Sequence, residues 1–350
     1  MSYEQKNKQL FDQYCKGYIE APLVLPAKRR IIVFGDIHGD YNLAITLLKL
    51  GKVIDDNNKW IGGDTYIVQV GDQLDNYRPI QKSTMNDELK NNSKYKGDEP
   101  EDIKVLKLFT DLDKQAIKEN GGVISLLGNH ELMNVLGDFR YVSNNDIEKF
   151  KNYKKYNNFE NSKDARLDAF KPGHEYAKFL ACTRLSSVII GSFIFVHAGI
   201  FPGINDVDDL HKVNYIVKKW LLGLINKKNV GSILSSKIFF STFWDRILGS
   251  IPPNMNNNDE RCQKYLDNVF KILYDKNNIN IKSMVIGHTP QIYANSDGIN
   301  SACDNKVWRV DFGGSFSFDK FDKYYDNSHS YRKPQILEIL NDTDIKILYA

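Results

Sequence analysis

Five short stretches of the sequence place Asp, His or Asn beside glycine, and these residue types can bind metal ions. The clusters contain Asp36 and His38, Asp72 and Asp75, Asn129 and His130, His197, and His288. Their side chains offer oxygen and imidazole nitrogen but no thiolate, a ligand set that suits Mn, Fe, Zn or Mg. The residue types therefore indicate a metal centre built from oxygen and nitrogen ligands.

No single cluster establishes a function. A histidine at the end of a strand is usually a hydrogen-bonded structural residue, and a pair such as Asn129-His130 often only caps a turn. Glycines flank nearly every cluster and let the backbone turn tightly there, so that short side chains can reach a common point. The recurrence of the clusters in one chain favours a shared site over unrelated structural roles.

Each cluster follows a segment whose composition predicts a β-strand. These segments are rich in β-branched, aliphatic and aromatic residues. They cover residues 30–34, 65–70, 123–127, 186–196 as two short strands, and 284–286. Because loops at the carboxyl ends of strands in α/β sheets converge on one crevice, we expect the clusters to lie together.

Apolar residues at helical spacing alternate with these strands. The clearest stripes run through residues 103–117 and 207–224. Residues 307–312 predict a further strand, and residues 335–340 and 345–349 predict a closing hairpin. Strands that alternate with helices indicate the α/β class.

The chain is predicted to form one domain. It contains no internal repeat and no Pro- or Ser-rich linker, so a single domain over residues 1–350 is the simplest organisation. The polar stretch at about residues 83–101 is predicted to be a surface insertion, and the one at about 143–173 a second insertion or cap. The basic and aromatic residues at 149–155 are interpreted as solvated surface rather than as a nucleic-acid stripe.

The overall composition limits the partners. The chain has 350 residues, 42% of them hydrophobic and 26% charged, and 47 Lys and Arg against 44 Asp and Glu give a net charge of +3. So small a surplus argues against nucleic acid or an anionic membrane as a partner.

Residues 1–10 show no secretory signal, and the apolar run 187–201 is too short and interrupted to span a membrane. We expect a soluble, cytoplasmic protein.

The cysteines carry no motif. Cys15, Cys182, Cys262 and Cys303 lie far apart and form no Cys-x-x-Cys pair. This spacing argues against a structural zinc site. We therefore expect buried or idle thiols in a reducing compartment.

The order of the clusters resembles the signature of the calcineurin-like metallophosphoesterases. The chain reads Asp-x-His, Gly-Asp-x-x-Asp, Gly-Asn-His-Glu, His and Gly-His-Thr, each behind a predicted strand. Residues 62–65, 68–75 and 126–131, followed by Asn134 and residues 137–142, resemble more closely the Shewanella-like protein phosphatases of the PPP family. The resemblance covers about residues 30–142 and 195–315 and leaves the insertions outside.

This resemblance implies a fold and a metal centre. The expected fold is an α/β arrangement with a central β-sandwich of two mixed sheets flanked by helices, and two divalent metal ions at its open edge. Mn is the metal expected first, with Fe, Zn and Mg as alternatives. The implied ligands are Asp36, His38 and Asp72 for one ion, and Asp72, Asn129, His197 and His288 for the other.

The chemistry expected at this centre is hydrolysis of a phosphate ester. A carboxylate shared between two cations, here Asp72, lowers the cost of holding them together, and a hydroxide that bridges them would attack phosphorus in line. The leaving group then needs a proton. His130 directly follows Asn129, and Asp75 lies three residues after Asp72, so His130 is the predicted general acid and Asp75 orients it.

The chain departs from the PPP pattern at the arginine that usually binds phosphate. The family continues its second motif as Gly-Asp-x-x-Asp-Arg-Gly, whereas this chain has Asn76 at the arginine position. Arg78 is the predicted substitute, because arginine binds two phosphate oxygens at once. Arg246 and Arg140 are further candidates, although Arg246 could form an ordinary surface salt bridge and Arg140 could be a structural partner of Asp138.

The sequence therefore predicts a metal-dependent phosphomonoesterase of the Shewanella-like kind that acts on phosphoprotein or phosphopeptide side chains. One alternative is a phosphodiesterase or dinucleotide polyphosphate hydrolase of the same superfamily. Another is a metal-binding scaffold with impaired catalysis, which the arginine missing at Asn76 would favour. The sequence makes no prediction about oligomeric state or about Ser/Thr against Tyr preference.

Overall fold

The computed structural model describes residues 1–79, 95–151, 159–234, 241–325 and 332–350. Most of the insertion predicted at about 83–101 lies outside these ranges. Residues 152–158 of the second insertion also lie outside them, and they include the last four residues of the basic and aromatic tract at 149–155. The extent of the single domain stays a prediction.

In the described part of the chain, the strands form two six-stranded sheets. One sheet has the order β12-β11-β2-β3-β4-β5 and the other β1-β6-β7-β8-β10-β9. The strands are β1 Val24–Leu25, β2 Arg30–Phe34, β3 Tyr66–Gln69, β4 Gly122–Leu126, β5 Arg184–Leu185, β6 Ser187–Ile190, β7 Phe193–Val196, β8 Ser283–Ile286, β9 Asn300–Ala302, β10 Val307–Arg309, β11 Gln335–Leu340 and β12 Asp344–Tyr349.

Both sheets are mixed. Strands β2 to β5 run parallel to one another, while β11 is antiparallel to β2 and β12. In the second sheet β7 is parallel to β8 and antiparallel to β6. This topology confirms the predicted α/β fold with two mixed sheets.

Helices cover the outer faces of the sheets and join the strands. Residues 260–277 form a nearly continuous helical segment, because a π-helical turn at Gln263–Asp267 links α10 to α11. The α-helices are α1 Tyr3–Tyr14, α2 Tyr41–Leu50, α3 Glu101–Ala116, α4 Asn129–Val135, α5 Asn144–Lys151, α6 Ser162–Phe170, α7 Glu175–Thr183, α8 Val207–Leu221, α9 Lys227–Val230, α10 Glu260–Cys262, α11 Asn268–Asn277, α12 Gln291–Ala294 and α13 Asp319–Tyr325.

The main core lies between the sheets. Alternate residues of a strand face opposite sides of its sheet. Val188 and Phe195 accordingly pack in the same apolar cluster as Val33 of the other sheet, while Ile189 and Ile194 belong to a second cluster that includes residues of α11. This alternation explains why β6 and β7 are apolar throughout.

The strands that precede the polar clusters occur where the sequence predicts them, and so do the two long helices and the closing hairpin. The strand predicted at 307–312 is shorter and ends at Arg309. Helix α1 was not predicted, although Ser2 and Gln5 form a capping box at its start. None of the helices in the described ranges is long and apolar enough to cross a membrane.

The expectation of idle thiols is wrong. Cys15 at the end of α1 is disulfide-bonded to Cys182 on α7, and Cys262 is bonded to Cys303. The partners are 167 and 41 residues apart in sequence but their Cα atoms lie 5.3 and 5.6 Å apart, within the range that a disulfide can bridge. The pairing depends on how the helices pack against the sheets, which cysteine spacing alone does not encode.

The second insertion is packed into the protein rather than being only solvated surface. Its helices α5 and α6 contact each other, and α6 also contacts α4 and α7. Asp146, Phe150, Arg166 and Phe170 of this segment are fully buried. The polar composition of the segment therefore conceals an apolar contact face and two buried charged groups.

Candidate active site

The two sheets bring the polar clusters to one edge of the sandwich. Loops after β2 and β3 carry Asp36, His38, Asp72 and Asp75, and α4 begins at Asn129 just after β4. His197 follows β7 and His288 lies in the loop after β8, so the second sheet supplies the remaining imidazoles. All these loops leave the carboxyl ends of their strands, which is the edge where α/β sheets form binding crevices.

Two groups of side chains at this edge could each hold a cation. Within each of two trios, His38-Asp72-His130 and Asp72-His197-His288, the potential ligand atoms lie within 4.8 Å of one another. Asp72 belongs to both trios, as expected for a shared ligand.

The other predicted ligands stand beside these trios. Asp36 Oδ2 lies 3.7 Å from His38 Nε2, and Asn129 Oδ1 lies 3.0 Å from His197 Nε2. The structure therefore brings all six predicted ligands together. It also places His130 Nε2 3.8 Å from Asp72 Oδ2, close enough that the predicted acid borders the same site.

The imidazoles are oriented as metal ligands would be. His197 Nδ1 lies 2.8 Å from the Val70 carbonyl oxygen, and His38 Nδ1 lies 3.3 Å from that of Leu74, so each Nε2 faces the cluster. Both ring nitrogens of His288 are buried and have no hydrogen-bond partner within the described residues. Buried polar atoms are normally satisfied, and a bound cation would satisfy His288.

The electrostatics of the cluster also fit cations. Burial lowers the pKa of His38 and of His288 well below the usual value, which keeps both imidazoles neutral and able to bind a metal. Burial, followed by the neighbouring carboxyls of Asp311 and Asp72, raises the pKa of Asp36 well above its usual value. Carboxyl groups held this close in a buried site are stabilised by positive charge.

The backbone adopts unusual conformations at these residues. His38, Asp72, Asp75 and His288 have φ angles of 48°, 53°, 72° and 66°, in the left-handed region that side chains other than glycine rarely adopt. Such conformations persist only where the surroundings impose them, and they concentrate at functional sites.

Glu131 is one residue that imposes this backbone geometry, and sequence reasoning assigned it no role. Its carboxylate accepts hydrogen bonds from the main-chain N–H groups of Asp72 (3.0 Å), Gln73 (2.8 Å), Leu74 (3.1 Å) and Gly128 (2.7 Å). One buried side chain thus fixes both the β3 loop and the start of α4. Its place in the Gly-Asn-His-Glu motif was the available signal.

His130 and Asp75 form the pair that the sequence predicts. His130 Nδ1 lies 2.7 Å from Asp75 Oδ2, and both side chains are buried. The other carboxylate oxygen of Asp75 accepts a hydrogen bond of 2.7 Å from Asn134 Nδ2. His130 Nε2 remains on the side of Asp72 and the cleft, where a proton donor would act.

The candidate arginines occupy different environments. Arg78 is half-buried beside the cleft, with its guanidinium 4.6 Å from the centre of the Phe318 ring. Arg246 also borders the cleft, where its Nη1 donates to the His288 carbonyl at 2.9 Å. Arg140 is exposed at the rim of the cleft, and its guanidinium binds Asp138. This is the structural pairing that the sequence analysis gave as the alternative to phosphate binding.

Asn76 does not substitute for the missing arginine. It is fully buried, donates through Nδ2 to Asp146 Oδ2 at 2.8 Å and accepts a hydrogen bond from the main-chain N–H of Ser143 at 3.2 Å. Both contacts are with the second insertion. Of the two residues, Arg78 and not Asn76 lines the cleft.

The cleft above the cluster has a volume of about 430 Å³ and mixes charge with aromatic surface. Its walls include aromatic rings from several separate segments of the chain. They are Tyr141, Trp244, Tyr293, Phe318 and Phe321. An open cleft with a polar floor and aromatic walls can accept a phosphate group that carries an organic substituent.

The fold and this site together define a class of protein. Residues 29–291 match the family described as calcineurin-like phosphoesterase, and the chain belongs to that family. Its members use a dinuclear metal centre, and the two trios that share Asp72 fit such a centre.

Proteins of similar sequence indicate the branch of this family to which the chain is related. An uncharacterized protein of Acanthamoeba polyphaga mimivirus is 35% identical over 266 residues, which is 69% of this chain and 97% of that protein. Shewanella-like protein phosphatase 1 of Plasmodium berghei (strain Anka) is 30% identical over 312 residues, covering 85% of this chain and 70% of that protein. The predicted kinship with Shewanella-like protein phosphatases is confirmed, and the chain is a hydrolase of phosphoric monoesters.

Among solved structures, a cold-active protein tyrosine phosphatase has a similar fold. It superposes with a TM-score of 0.60 at 21% identity, covering 93% of this chain and 80% of that chain. The similarity confirms the fold class predicted from the motifs.

Proposed function

We propose that this protein is a metal-dependent phosphoprotein phosphatase of the Shewanella-like kind. The family supports phosphoester hydrolysis, and the Plasmodium berghei relative is named a protein phosphatase. The observation that carries the proposal is the pairing of His130 with Asp75 beside a cluster that can hold two cations. An acid next to such a cluster suits cleavage of a monoester whose leaving group needs a proton.

The metal ligands proposed are those that the structure brings together. They are Asp36, His38, Asp72, Asn129, His197 and His288. Two divalent cations, Mn first among the candidates, supply activation of the attacking water and neutralisation of phosphate charge when bound. The contacts of His38 and His197 with main-chain carbonyls through Nδ1 orient both imidazoles for binding through Nε2.

The proposed roles of the remaining residues follow from their positions. His130 donates a proton from Nε2 to the leaving oxygen, and Asp75 holds the ring through Nδ1 and stabilises its charged form. Arg78 and Arg246 bind phosphate oxygens from the sides of the cleft. We assign Arg140 a structural role, because Asp138 already engages its fork.

The aromatic walls of the cleft favour a substrate whose organic part is aromatic. A phosphate ester bound over the ligand cluster would place its organic part against rings such as Trp244, Tyr293 and Phe321. Aromatic pairs are more favourable than their contact area alone implies. We therefore propose phosphotyrosine peptides as better substrates than phosphoserine peptides.

The experiment is a comparison of substrates with the purified protein and added Mn. We expect hydrolysis of phosphopeptides that chelation abolishes, and little turnover of bis-p-nitrophenyl phosphate or a diadenosine polyphosphate. Asp75→Asn keeps the size of the side chain and removes its charge, His130→Asn removes the imidazole, and both variants should lose activity. Turnover of the diester or dinucleotide with none of the phosphopeptides would select the alternative hydrolase, and a folded, metal-loaded protein inactive on all of them would indicate a scaffold.

A cytoplasmic location stays a prediction. The disulfides Cys15–Cys182 and Cys262–Cys303 weigh against it, because such bonds persist mainly in oxidising compartments. Alkylation of free thiols in freshly lysed cells, followed by mass spectrometry, would test it. Fully alkylated cysteines would support the cytoplasm, and intact bridges would support an oxidising compartment.

A further inference from the structure

The second insertion reaches the active site through Arg166 on α6. This side chain is completely buried, and its Nε and Nη2 atoms donate to Asn134 Oδ1 at 3.0 and 2.7 Å. Nη2 also donates to Asp102 Oδ2 at 2.6 Å. The motifs that predict the site do not include Arg166, which comes from the segment predicted to be a second insertion or cap.

Arg166 determines which way the Asn134 amide points. A guanidinium carries only donors, so the oxygen of Asn134 must face it and the amide nitrogen must face the opposite direction. In that direction Asn134 Nδ2 donates to Asp75 Oδ1 at 2.7 Å and to the His130 carbonyl at 2.9 Å. A reversed amide would instead place its oxygen against the Asp75 carboxylate, where the two would repel.

Asp75 is therefore held at both oxygens. One accepts from Asn134, and the other lies 2.7 Å from His130 Nδ1. Asp75 itself has a left-handed backbone conformation, with a φ of 72°, so local preferences do not hold it in position. The contacts from Arg166 through Asn134 to Asp75 supply that restraint.

The surroundings of Arg166 favour a single orientation of the fork. Phe170 and Phe139 lie with ring centres 4.9 and 5.6 Å from the guanidinium carbon, and Asp102 balances its charge at full burial. Lysine cannot reproduce these contacts, because a single ammonium cannot bind Asn134 twice while also contacting Asp102 with the same planar geometry.

We propose that Arg166 is a positioning residue for the proton donor His130, acting through Asn134 and Asp75. The proposal rests on the phosphatase function proposed above. It predicts that a change at Arg166 acts chiefly on protonation of the leaving group. It therefore predicts a defect that depends on how much the leaving group needs a proton.

The test compares two substrates with Arg166→Lys. We expect kcat for an alkyl phosphate to fall by about 10- to 100-fold, because a displaced acid loses much of its contribution. We expect a much smaller loss for p-nitrophenyl phosphate, whose leaving group departs without a proton, and an unchanged metal content. The matched control is Arg309→Lys, because Arg309 is also fully buried but lies on β10, where it binds Asn300 and the main-chain carbonyls of Leu248 and Ile251.

A second variant covers the case in which Arg166→Lys does not fold. Arg166→Met combined with Asp102→Leu removes both members of the buried ion pair, a replacement that proteins often tolerate. It removes the donors that hold the Asn134 oxygen, so that this side chain loosens its hold on Asp75, and it should show the same selective loss. In the metal-free protein, the side-chain amide protons of Asn134 should also exchange faster with solvent in the Arg166 variants than in Arg309→Lys.

The outcomes separate this inference from the proposed function. Equal losses on the two substrates, or no loss, in folded Arg166 variants would overturn the positioning role while the unmodified enzyme remains active. A selective loss in Arg309→Lys would overturn it as well, because any buried arginine would then suffice. If the unmodified, metal-loaded protein hydrolyses neither substrate, the phosphatase proposal fails, and faster exchange at Asn134 would still support the contact from Arg166.

Discussion

Removal of the Arg78 side chain is the most direct test of how this chain binds phosphate without the usual arginine. Nη1 of Arg78 donates to the main-chain carbonyls of Tyr77 at 3.0 Å and Asp75 at 3.4 Å, which fixes the guanidinium beside the cleft. Its Nε and Nη2 have no hydrogen-bond partner within the described residues. These two atoms form the edge of the fork that binds two oxygens of a phosphate.

The expected effect follows from this geometry. A hydrogen bond to a charged group contributes about 1.5–3 kcal/mol, so Arg78→Ala should weaken phosphate binding by roughly 10- to 150-fold. The Phe318 ring covers the guanidinium at 4.6 Å and shields it from solvent, which strengthens the interaction. The loss should appear in KM more than in kcat, because the contact exists before the transition state. The KM of Arg78→Lys should lie between those of the unmodified enzyme and of Arg78→Ala, because lysine keeps the positive charge but cannot bind two oxygens at once.

The assay is steady-state hydrolysis of p-nitrophenyl phosphate at saturating Mn, with inhibition by inorganic phosphate as a second measure of binding. Arg140→Ala is the comparison variant, because its guanidinium is exposed and already bound to Asp138. Because Asp138 already engages the fork of Arg140, Arg140→Ala should leave KM nearly unchanged. An Arg78→Ala enzyme with unchanged KM and phosphate inhibition would refute the assignment and point to Arg246.

Asn76→Arg completes the test. If Arg78 has replaced the family arginine, the new arginine should not raise kcat/KM. It should instead lower stability, because Asn76 is fully buried and its amide binds Asp146 and Ser143. A clear gain in kcat/KM for Asn76→Arg would mean that the cleft lacks a cation.

Three further changes test the metal centre, the acid and the fold. Asp72→Asn should reduce bound metal below two equivalents by elemental analysis and abolish hydrolysis, and full activity would contradict its shared role. His130→Asn should lower kcat by roughly 10²–10⁴ with metal content intact, and less for p-nitrophenyl phosphate than for an alkyl phosphate. Reduction of Cys15–Cys182 should lower the unfolding free energy by about 2–5 kcal/mol in urea, and an unchanged midpoint would mean that the bridge does not form.

Much of the fold was predictable because its signals are local. The apolar runs at 30–34 and 65–70 form β2 and β3 almost as predicted, and each ends in the loop that carries its polar cluster. The side chains that approach the metal centre could be listed from order and spacing, since a sheet edge brings consecutive loops together. That list already contained Asp36, His38 and Asp72.

What could not be predicted depends on contacts between distant segments. Arg166 lies 32 residues from Asn134 in sequence, and no periodicity marks it as different from the other basic residues of a polar stretch. The disulfide partners are further apart still. Asp311, whose carboxyl raises the pKa of Asp36, follows an ordinary strand and belongs to none of the recognised clusters.

The departure from the family motif and the second insertion are best understood as one structural change. Asn76 binds Asp146, and Asp146 in turn accepts hydrogen bonds from the main-chain N–H groups of Glu101 and Asp102 at the start of α3. An arginine at position 76 would bring a bulky cation into that buried contact. The insertion thus contacts the side chain at the position of the usual arginine, and it supplies Arg166 behind the His130-Asp75 pair. Arg78, two residues later, lines the cleft, and the proposed phosphate contact from this residue would let a chain that lacks the motif arginine retain the chemistry of its family.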